Sequence, residues 1–355
     1  MSVDETPAII IDNGCDTLKV GFTGDDEPTG IFRNVVLLSE GADGSMIRTV
    51  GCVAGKPYDR FKRPMQRSEP YDWDAMECVW EHAFKDVLKV APENHRVLFT
   101  DRPLSPDITR EKSVQIMFEK FSTPATYVSM QSTLALYGSG RTTGTVLNVG
   151  DFTSSVVPIY KGTPVREAIR LTELAGCDMI EYLSRALYIR DQEMAREIME
   201  KVCAVSADAK KETVKYIDYK TSDGAVHTIG EERYRCGDVL FNPSLISPHK
   251  VKPLQQQVVE SVAICEEIIR KTLYAYIVLA GGPTTLNGFA ERMQKEVTAL
   301  LPSKYKCKVV TTQHPVLNVW AGGCMVAQSP LFQQSWITKQ EYEEHGANII
   351  HQKCV

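Results

Sequence analysis

The sequence predicts an α/β fold built from two related domains. An apolar run, a short polar turn with a glycine and a second apolar run occur twice, at residues 9–22 and at residues 146–158. Helical periodicity alternates with short apolar runs through most of the remaining chain, which is typical of an α/β protein. A motif repeated in this way indicates a duplicated fold, in which each domain directs one β-hairpin turn into a common cleft.

Composition restricts the classes of function. The chain has 355 residues, of which 43% are hydrophobic and 24% charged, as expected for a globular protein of two or three domains. Its formal net charge of −5 predicts no direct binding to nucleic acid or to an anionic membrane. The ten cysteines form no C-x-x-C pair, which predicts free thiols, no zinc site and a reducing compartment. Because residues 1–6 lack a secretory signal and no apolar run reaches 18 residues, we expect a soluble intracellular protein.

The first half of the chain alternates between predicted helices and strands. Apolar residues at i, i+3 and i+4 spacing predict the helices, and apolar runs bounded by polar residues predict the strands. After the first hairpin, we expect short strands and a mobile loop at residues 40–45. The predicted helices are residues 72–88, 107–121 and 132–137, and the predicted strands are residues 96–100 and 125–131.

The second half repeats this alternation after the second hairpin. The predicted strands are residues 159–170, a hairpin at 224–235, and residues 276–284. The predicted helices are residues 174–187, 193–203, 258–269 and 289–301. The strand that ends at Gly281-Gly282 precedes the last of these helices, a geometry that can present backbone N–H groups and a positive helix terminus to a nucleotide.

At these residues the sequence resembles the actin family, over essentially the whole chain. The segments that carry the resemblance are Asp-Asn-Gly at 12–14, Gly-Asp-Asp at 24–26, residues 110–119, YGSGRTTG at 137–144, and residues 278–282, 292–296 and 336–342. The wider superfamily includes sugar kinases and Hsp70-type chaperones, but the C-terminal segment is similar to the actin branch. The resemblance implies two duplicated α/β domains around a nucleotide cleft.

The same resemblance implies the domain boundaries. The first domain would comprise residues 1–138 plus 318–355, with an outer lobe at about 34–64. The second would comprise residues 139–317, with an outer lobe at about 175–251.

The resemblance also implies a cofactor, ATP or ADP with Mg²⁺, and a set of residues that bind it. Asp12 matches the acid on the metal side, Lys19 the phosphate-binding lysine, and Gln131 the residue that positions the attacking water. Asp12 and, through water, Asp151 would hold the metal. The other positions that match nucleotide contacts are Gly14, Cys15, Gly150, Gly176, Arg196, Glu200, Gly281 and Gly282.

Around these positions the sequence departs from the family pattern. Eight residues replace those of the family pattern. Cys15 replaces a serine, Asp16 and Phe152 replace glycines, Asn148 replaces an aspartate, Ser155 replaces a histidine, Met199 and Val316 replace lysines, and Pro283 replaces a threonine. An inward-pointing Asp16 about 4 Å from a phosphate would cost on the order of 4 kcal/mol at an effective dielectric near 20. Asn148 carries no charge, and Ser155 accepts no proton near neutral pH. These changes predict weak or no ATP hydrolysis, whereas nucleotide binding stays open if Asp16 points away.

Two further departures concern assembly. Compared with the family, the loop between Val36 and Gly51 and the segment between Gly176 and Arg196 are shortened. Both lie in the outer lobes through which actins contact the next subunit of a filament. A filament subunit needs two complementary surfaces. A subunit in which one surface is altered can only end a filament or join a complex of fixed stoichiometry.

The sequence therefore predicts a divergent actin-like cytoskeletal or complex subunit, an interaction protein rather than an efficient ATPase. Its partners would be other proteins, in a hetero-complex or at a filament end, in the cytoplasm and cytoskeleton or in an axonemal or nuclear complex. The alternative is an active, filament-forming actin, which Asp12 and Gln131 favour. A small-molecule kinase is a third alternative, and it would need a catalytic aspartate on the substrate side.

Overall fold

The computed structural model describes residues 6–41, 43–51, 61–206, 215–246 and 251–354. Parts of both expected outer lobes fall outside these ranges. Contacts divide the chain into two compact units. Unit 1 comprises Met1–Gly140 and Leu317–Val355, and unit 2 comprises Arg141–Val316.

The strands fall into two groups along the chain. Those before the second hairpin are β1 (Ile9–Asn13), β2 (Thr17–Phe22), β3 (Gly30–Arg33), β4 (Val36–Glu40), β5 (Met46–Val50), β6 (Phe61–Lys62), β7 (Met65–Gln66), β8 (Glu69–Pro70), β9 (Val97–Asp101) and β10 (Ala125–Met130). Those that follow are β11 (Gly144–Val149), β12 (Ser154–Tyr160), β13 (Thr163–Pro164), β14 (Arg170–Thr172), β15 (Ile217–Lys220), β16 (Val226–Ile229), β17 (Ile277–Ala280), β18 (Val309–Val310) and β19 (Ile337–Thr338).

The α-helices occur in both units. They are α1 (Trp73–His82), α2 (Asp107–Glu119), α3 (Gln131–Gly138), α4 (Gly176–Ala186), α5 (Gln192–Val202), α6 (Glu232–Asp238), α7 (Leu254–Ile264), α8 (Glu267–Ala275), α9 (Phe289–Leu300), α10 (Asn318–Gln328), α11 (Lys339–His345) and α12 (Ile350–Lys353).

The main sheet of unit 1 has the strand order β19-β10-β9-β1-β2-β3. Strand β1 pairs with β2 as an antiparallel hairpin and with β9 in parallel. Every residue of β1 is buried, which its apolar sequence Ile-Ile-Ile requires. Helix α10 approaches this sheet closely, because Gly323 has no side chain: a Cβ there would lie 2.7 Å from Ile10 Cγ2.

Unit 2 repeats this arrangement. Its main sheet has the order β13-β12-β11-β17-β18, with β14 also paired to β12. Strand β11 forms an antiparallel hairpin with β12 and pairs in parallel with β17, as β1 does with β2 and β9. The core contains Leu147 and Leu279 from the sheet and Val258, Phe289 and Met293 from helices α7 and α9. The predicted duplicated α/β fold is therefore confirmed.

Helix α1 is shorter than the sequence predicts. Asp72 caps its N-terminus by accepting a hydrogen bond from Ala75 N at 3.0 Å. The α-helix ends at His82, and Ala83–Leu88 continues as a π-helix. Most apolar residues of both parts are buried, among them Met76, Trp80 and Phe84. The periodicity therefore located the packed face but not the change of helix type.

Two other sequence predictions are wrong. The hairpin expected at residues 224–235 pairs β16 with the earlier strand β15, and its expected second arm is helix α6, whose Glu232 and Arg235 are good helix formers. The helix expected at 258–269 is two helices, because Cys265 and Glu266 have extended backbones. Ile268, placed on the apolar face by its spacing, is 83% exposed.

Candidate functional site

A buried polar network surrounds the turn between β1 and β2. Asp12, at 3% exposure, accepts hydrogen bonds at Oδ1 from Thr100 Oγ1 at 3.1 Å and from Gln131 Nε2 at 3.2 Å. Lys19 Nζ lies 3.5 Å from Asp12 Oδ2, because the hairpin register places these two residues opposite each other. Strands β1, β9 and β10 run in parallel, so their carboxyl ends bring Asp12, Thr100 and Gln131 to one edge of the sheet.

Thr100 belongs to this polar network, and the sequence analysis did not predict it. Besides donating to Asp12, its hydroxyl accepts a hydrogen bond from Asn13 N at 2.9 Å and lies 3.5 Å from Gln131 Nε2. It therefore joins the turn to the residue expected to position water. The available signal was a polar residue near the end of a buried parallel strand.

Gly14 fits this turn because it has no side chain. A Cβ at residue 14 would lie 2.5 Å from Thr17 O and 3.7 Å from Lys19 Nζ, and the first contact is shorter than any real Cβ makes. The lysine ammonium thus lies close to the glycine backbone. Cys15, the next residue in the turn, is partly buried.

Asp16 carries the extra negative charge of the first turn, and Arg33 compensates it. Arg33 Nη1 lies 3.0 Å from Asp16 Oδ1 and 3.2 Å from Oδ2. Arg33 ends β3, and its backbone stands opposite Thr17 in the register of β2 and β3. The acidic side chain is therefore engaged by the neighbouring strand.

The second turn, between β11 and β12, is held mainly by backbone groups. At the start of α4, Gly176 N donates to Gly150 O at 3.0 Å and Cys177 N donates to Asp151 O at 2.7 Å. Within the turn, Gly150 N donates to Thr153 O at 3.0 Å. A Cβ on Gly176 would lie 3.2 Å from Gly150 O, so glycine allows the helix to approach the turn.

Asp151 and Arg196 form a nearly buried ion pair beside this turn. Arg196 Nη1 donates to Asp151 Oδ1 at 2.9 Å, and the two side chains are 11% and 5% exposed, respectively. Among the described residues, the buried Asp151 Oδ2 has no hydrogen-bond partner. Arg196 also lies 3.7 Å from Glu193. Glu200, one turn further along α5, is exposed to solvent, whereas the Arg196 side chain is nearly buried.

Gly281 and Gly282 follow strand β17, next to the end of β11. Gly281 has φ of +90°, and a Cβ there would lie 2.0 Å from Val149 O and 2.8 Å from Asn148 Oδ1. A Cβ on Gly282 would meet nothing within 4 Å. Gly281 is therefore required by the backbone, whereas Gly282 has open space around it. The predicted strand at 276–284 ends at Ala280 for this reason, and a 3-10 turn, Gly282–Thr285, follows.

Two groups at the start of α4, Cys177 and Asp178, have raised pKa values, which favours their protonated forms. Burial raises the pKa of the Cys177 thiol to about 12, and the charges of Asp178 and Asp151 act in the same direction. Burial also raises the pKa of Asp178, although its carboxylate accepts a hydrogen bond from Ala175 N at 2.8 Å. The Cys177 thiol is therefore not a nucleophile at neutral pH.

A family model described as Actin matches residues 3–192 and residues 187–355. The chain belongs to the actin family. Membership confirms the family and fold that the sequence motifs predict. Actin-family proteins generally bind ATP or ADP with a divalent metal and interact with other proteins. None of the helices in the described ranges has the length and apolar composition of a membrane span.

The residues of this actin-family chain fit a nucleotide with its metal. The side-chain-free backbone at Gly14 and the ammonium of Lys19 suit a phosphate group. Asp12 in unit 1 offers a carboxylate, the ligand type that Mg²⁺ prefers, directly or through water; in unit 2, considered by itself, Asp151 Oδ2 offers another. The described residues contain no group of three or more His, Cys, Asp or Glu that could hold a metal without other ligands.

Proposed function

We propose that this protein is a divergent actin-family subunit that binds ATP or ADP with Mg²⁺ but hydrolyses ATP slowly. The observation that carries the proposal is the difference between the two turns. The first retains a largely buried network of Asp12, Lys19 and Gln131, which supports binding. The second has the neutral residues Asn148 and Ser155 opposite each other in the hairpin register, which opposes catalysis.

The contacts of Gln131 support a role in positioning water. Its amide nitrogen donates to Asp12 and approaches Thr100, which leaves the amide oxygen to accept a hydrogen bond from a water molecule. Bound Mg²⁺ would supply neutralisation of the phosphate charge. In the family pattern, residue 155 is the histidine that is paired with the attacking water. Ser155 is buried and its hydroxyl does not accept a proton near pH 7, so the resemblance implies that this water would lack a general base.

Phosphate release from purified protein with Mg²⁺ and ATP tests this proposal. We expect a rate about 10²- to 10⁴-fold lower than that of a conventional actin, because a positioned general acid or base contributes about that factor. The double variant N148D/S155H, which restores the charge and the base of the family pattern, should be faster than the wild type. A wild-type rate within about tenfold of a conventional actin would contradict the proposal and favour the alternative of an active ATPase.

The base of the nucleotide should be weakly selected. Met199, at a position where the family has a lysine, is buried in the core of unit 2, and Arg196 is engaged by Asp151 and Glu193. Few cations therefore remain to contact the base. Competition between ATP and GTP should show a preference below about a hundredfold, the factor that about 2.7 kcal/mol of specific contacts would produce.

The proposed biological role is that of a cytoskeletal or complex subunit that docks to other proteins and does not form long filaments alone. At the end of the β4–β5 hairpin, Gly41 N donates to Ser45 O at 2.7 Å. Five residues, 187–191, connect α4 to α5, so both shortened segments are compact where they are described. The C-terminal segment is well formed: β19 pairs with β10, and Thr338 and Glu341 cap α11. One intact end and one reduced end support a fixed partner, in a cytoplasmic, axonemal or nuclear assembly.

Sedimentation and negative-stain microscopy with Mg²⁺ and salt test this assembly state. A filament contact that loses about 200 Å² of apolar burial loses about 5 kcal/mol at 25 cal/mol per Å², which raises the critical concentration by more than three decades. We therefore expect monomers at concentrations where conventional actin polymerises. Abundant long homopolymers would favour the alternative function.

A further inference from the structure

The end of β3 contacts the first turn at three points. Arg33 Nη1 pairs with the Asp16 carboxylate at 3.0 and 3.2 Å. Asn34 Nδ2 donates to Gly14 O at 2.9 Å, and Asn34 N donates to Asp16 O at 2.8 Å. Asn34 is fully buried. These contacts fix the backbone of Gly14 and Asp16 and the direction of the Asp16 side chain.

We propose that Arg33 is a positioning residue for nucleotide binding: its guanidinium cancels the charge of Asp16 and directs that carboxylate away from the phosphate side of the turn. This inference rests on the proposed nucleotide-binding function. The ligand class is a nucleoside di- or triphosphate, whose phosphates would approach the backbone of Gly14 and the ammonium of Lys19.

The electrostatics of the pair support this role. An uncompensated carboxylate in the turn would repel a phosphate, and the repulsion would be strong because the side chains of Asp16 and Arg33 are only 20% and 16% exposed. A guanidinium at 3 Å removes most of that field. A single guanidinium nitrogen, Arg33 Nη1, lies within 3.2 Å of both carboxylate oxygens, and the guanidinium stays charged at neutral pH.

A double-mutant cycle on nucleotide affinity tests the inference. The Kd of Mg²⁺–ATP would be measured by displacement of a fluorescent ATP analogue from the wild type, R33Q, D16N and D16N/R33Q. The matched control is K120Q, which removes a cation from the exposed pair of Lys120 with Glu77. We expect R33Q to weaken binding by at least about tenfold, equivalent to about 1.4 kcal/mol. D16N/R33Q should recover to within about threefold of the wild type, since no charge then remains to be cancelled.

Three further readouts separate charge compensation from a structural role. R33K should bind ATP better than R33Q, because it retains the positive charge. The difference between R33Q and the wild type should shrink at high salt, which screens the unmasked carboxylate. In nucleotide-free thermal unfolding, D16N/R33Q should lose less in Tm than the sum of the single variants, a result that requires no bound ATP.

Each contrary result has a distinct meaning. Wild-type affinity in R33Q would overturn this inference and leave the proposed function intact. The same holds if D16N/R33Q binds as weakly as R33Q, because Arg33 would then act on the phosphate or the fold directly. Failure of the wild type itself to bind ATP at about 1 mM, the upper end of ordinary enzyme affinities, would overturn the proposed function. In that case additive Tm losses would overturn the Asp16–Arg33 coupling as well.

Discussion

The two hairpin turns of this chain share a backbone plan but are stabilised by different groups. The β1–β2 turn is surrounded by side chains: Thr100, Gln131 and Lys19 contact Asp12. The β11–β12 turn is contacted by backbone groups from the start of α4. The duplicated fold has therefore kept its strand pairing in both halves, but a side-chain network surrounds the first turn, whereas backbone hydrogen bonds and the Asp151–Arg196 ion pair hold the second.

This difference predicts how each turn responds to change. Side-chain networks with charged members depend on ionisation and salt, and they lose most when one partner is removed. Backbone hydrogen bonds at a glycine contact depend instead on steric fit. Replacing a single side chain should therefore reduce the free energy of unfolding more at the first turn. Adding a Cβ atom should reduce it more beside the second turn, at the contact of Gly281 with Val149 O.

The largest effect should come from G281A. The new Cβ would lie 2.0 Å from Val149 O, and alanine disfavours the positive φ of residue 281. We expect a loss of more than about 4 kcal/mol or a failure to fold, in the class of the most severe single substitutions. Urea unfolding of the nucleotide-free protein would measure it. The matched control is G282A, which meets nothing within 4 Å; equal losses in both variants would show that the close approach of residue 281 to β11 is not required.

The next largest effect should be the loss of stability when Asp12 is replaced, which we compare with the loss when Asp151 is replaced. D12A leaves the buried Lys19 ammonium and two hydrogen-bond donors without their carboxylate, so we expect a loss of about 3–5 kcal/mol. D151A should cost about 1–3 kcal/mol, because Arg196 keeps Glu193 at 3.7 Å. Urea unfolding without nucleotide would rank the two, with E77A on the exposed Lys120 pair as the control. A larger loss in D151A would reverse the comparison of the turns.

The parts of the fold that depend on the local sequence pattern were predicted from the sequence. The two hairpins follow from apolar runs flanking a glycine turn, and the buried strands follow from runs such as Ile9 to Ile11. The break between α7 and α8 could not be predicted, because apolar spacing continues across Cys265 while its backbone is extended. The partner of β16 was missed because strand pairing depends on tertiary context, and the alternating residues of β15 lie before the predicted turn.

The site was less predictable than the fold, because its residues come from distant segments. Whether Asp16 points toward a phosphate depends on Arg33, 17 residues later, through the register of β2 and β3. Thr100 joins Asp12 only because two parallel strands end at the same sheet edge. Neither contact has a signature in the spacing of residues along the chain. The family motifs predicted where the turns are, whereas the contacts that set their electrostatics required the structure.

The smallest predicted effect concerns pH and the second turn. Burial raises the pKa of Asp178, which accepts a hydrogen bond from Ala175 N at the start of α4. The folded protein therefore binds the Asp178 proton more tightly than the unfolded chain, whose pKa is about 3.9. The stability that this proton contributes is fully present below about pH 4 and is lost as pH rises through the folded-state pKa.

The variant D178N tests this sign. Asparagine keeps an oxygen that can accept from Ala175 N but does not ionise, so the Tm of D178N relative to the wild type should rise as pH increases above about 4 and then level off. The gain should not exceed about 2–4 °C, the shift that about 1 kcal/mol produces in a domain of 150–250 residues. D191N, on the exposed N-cap of α5, is the control for loss of a capping carboxylate. A Tm difference that falls with rising pH would mean that the hydrogen bond from Ala175 N outweighs burial, and that the second turn, like the first, relies on an ionised side chain.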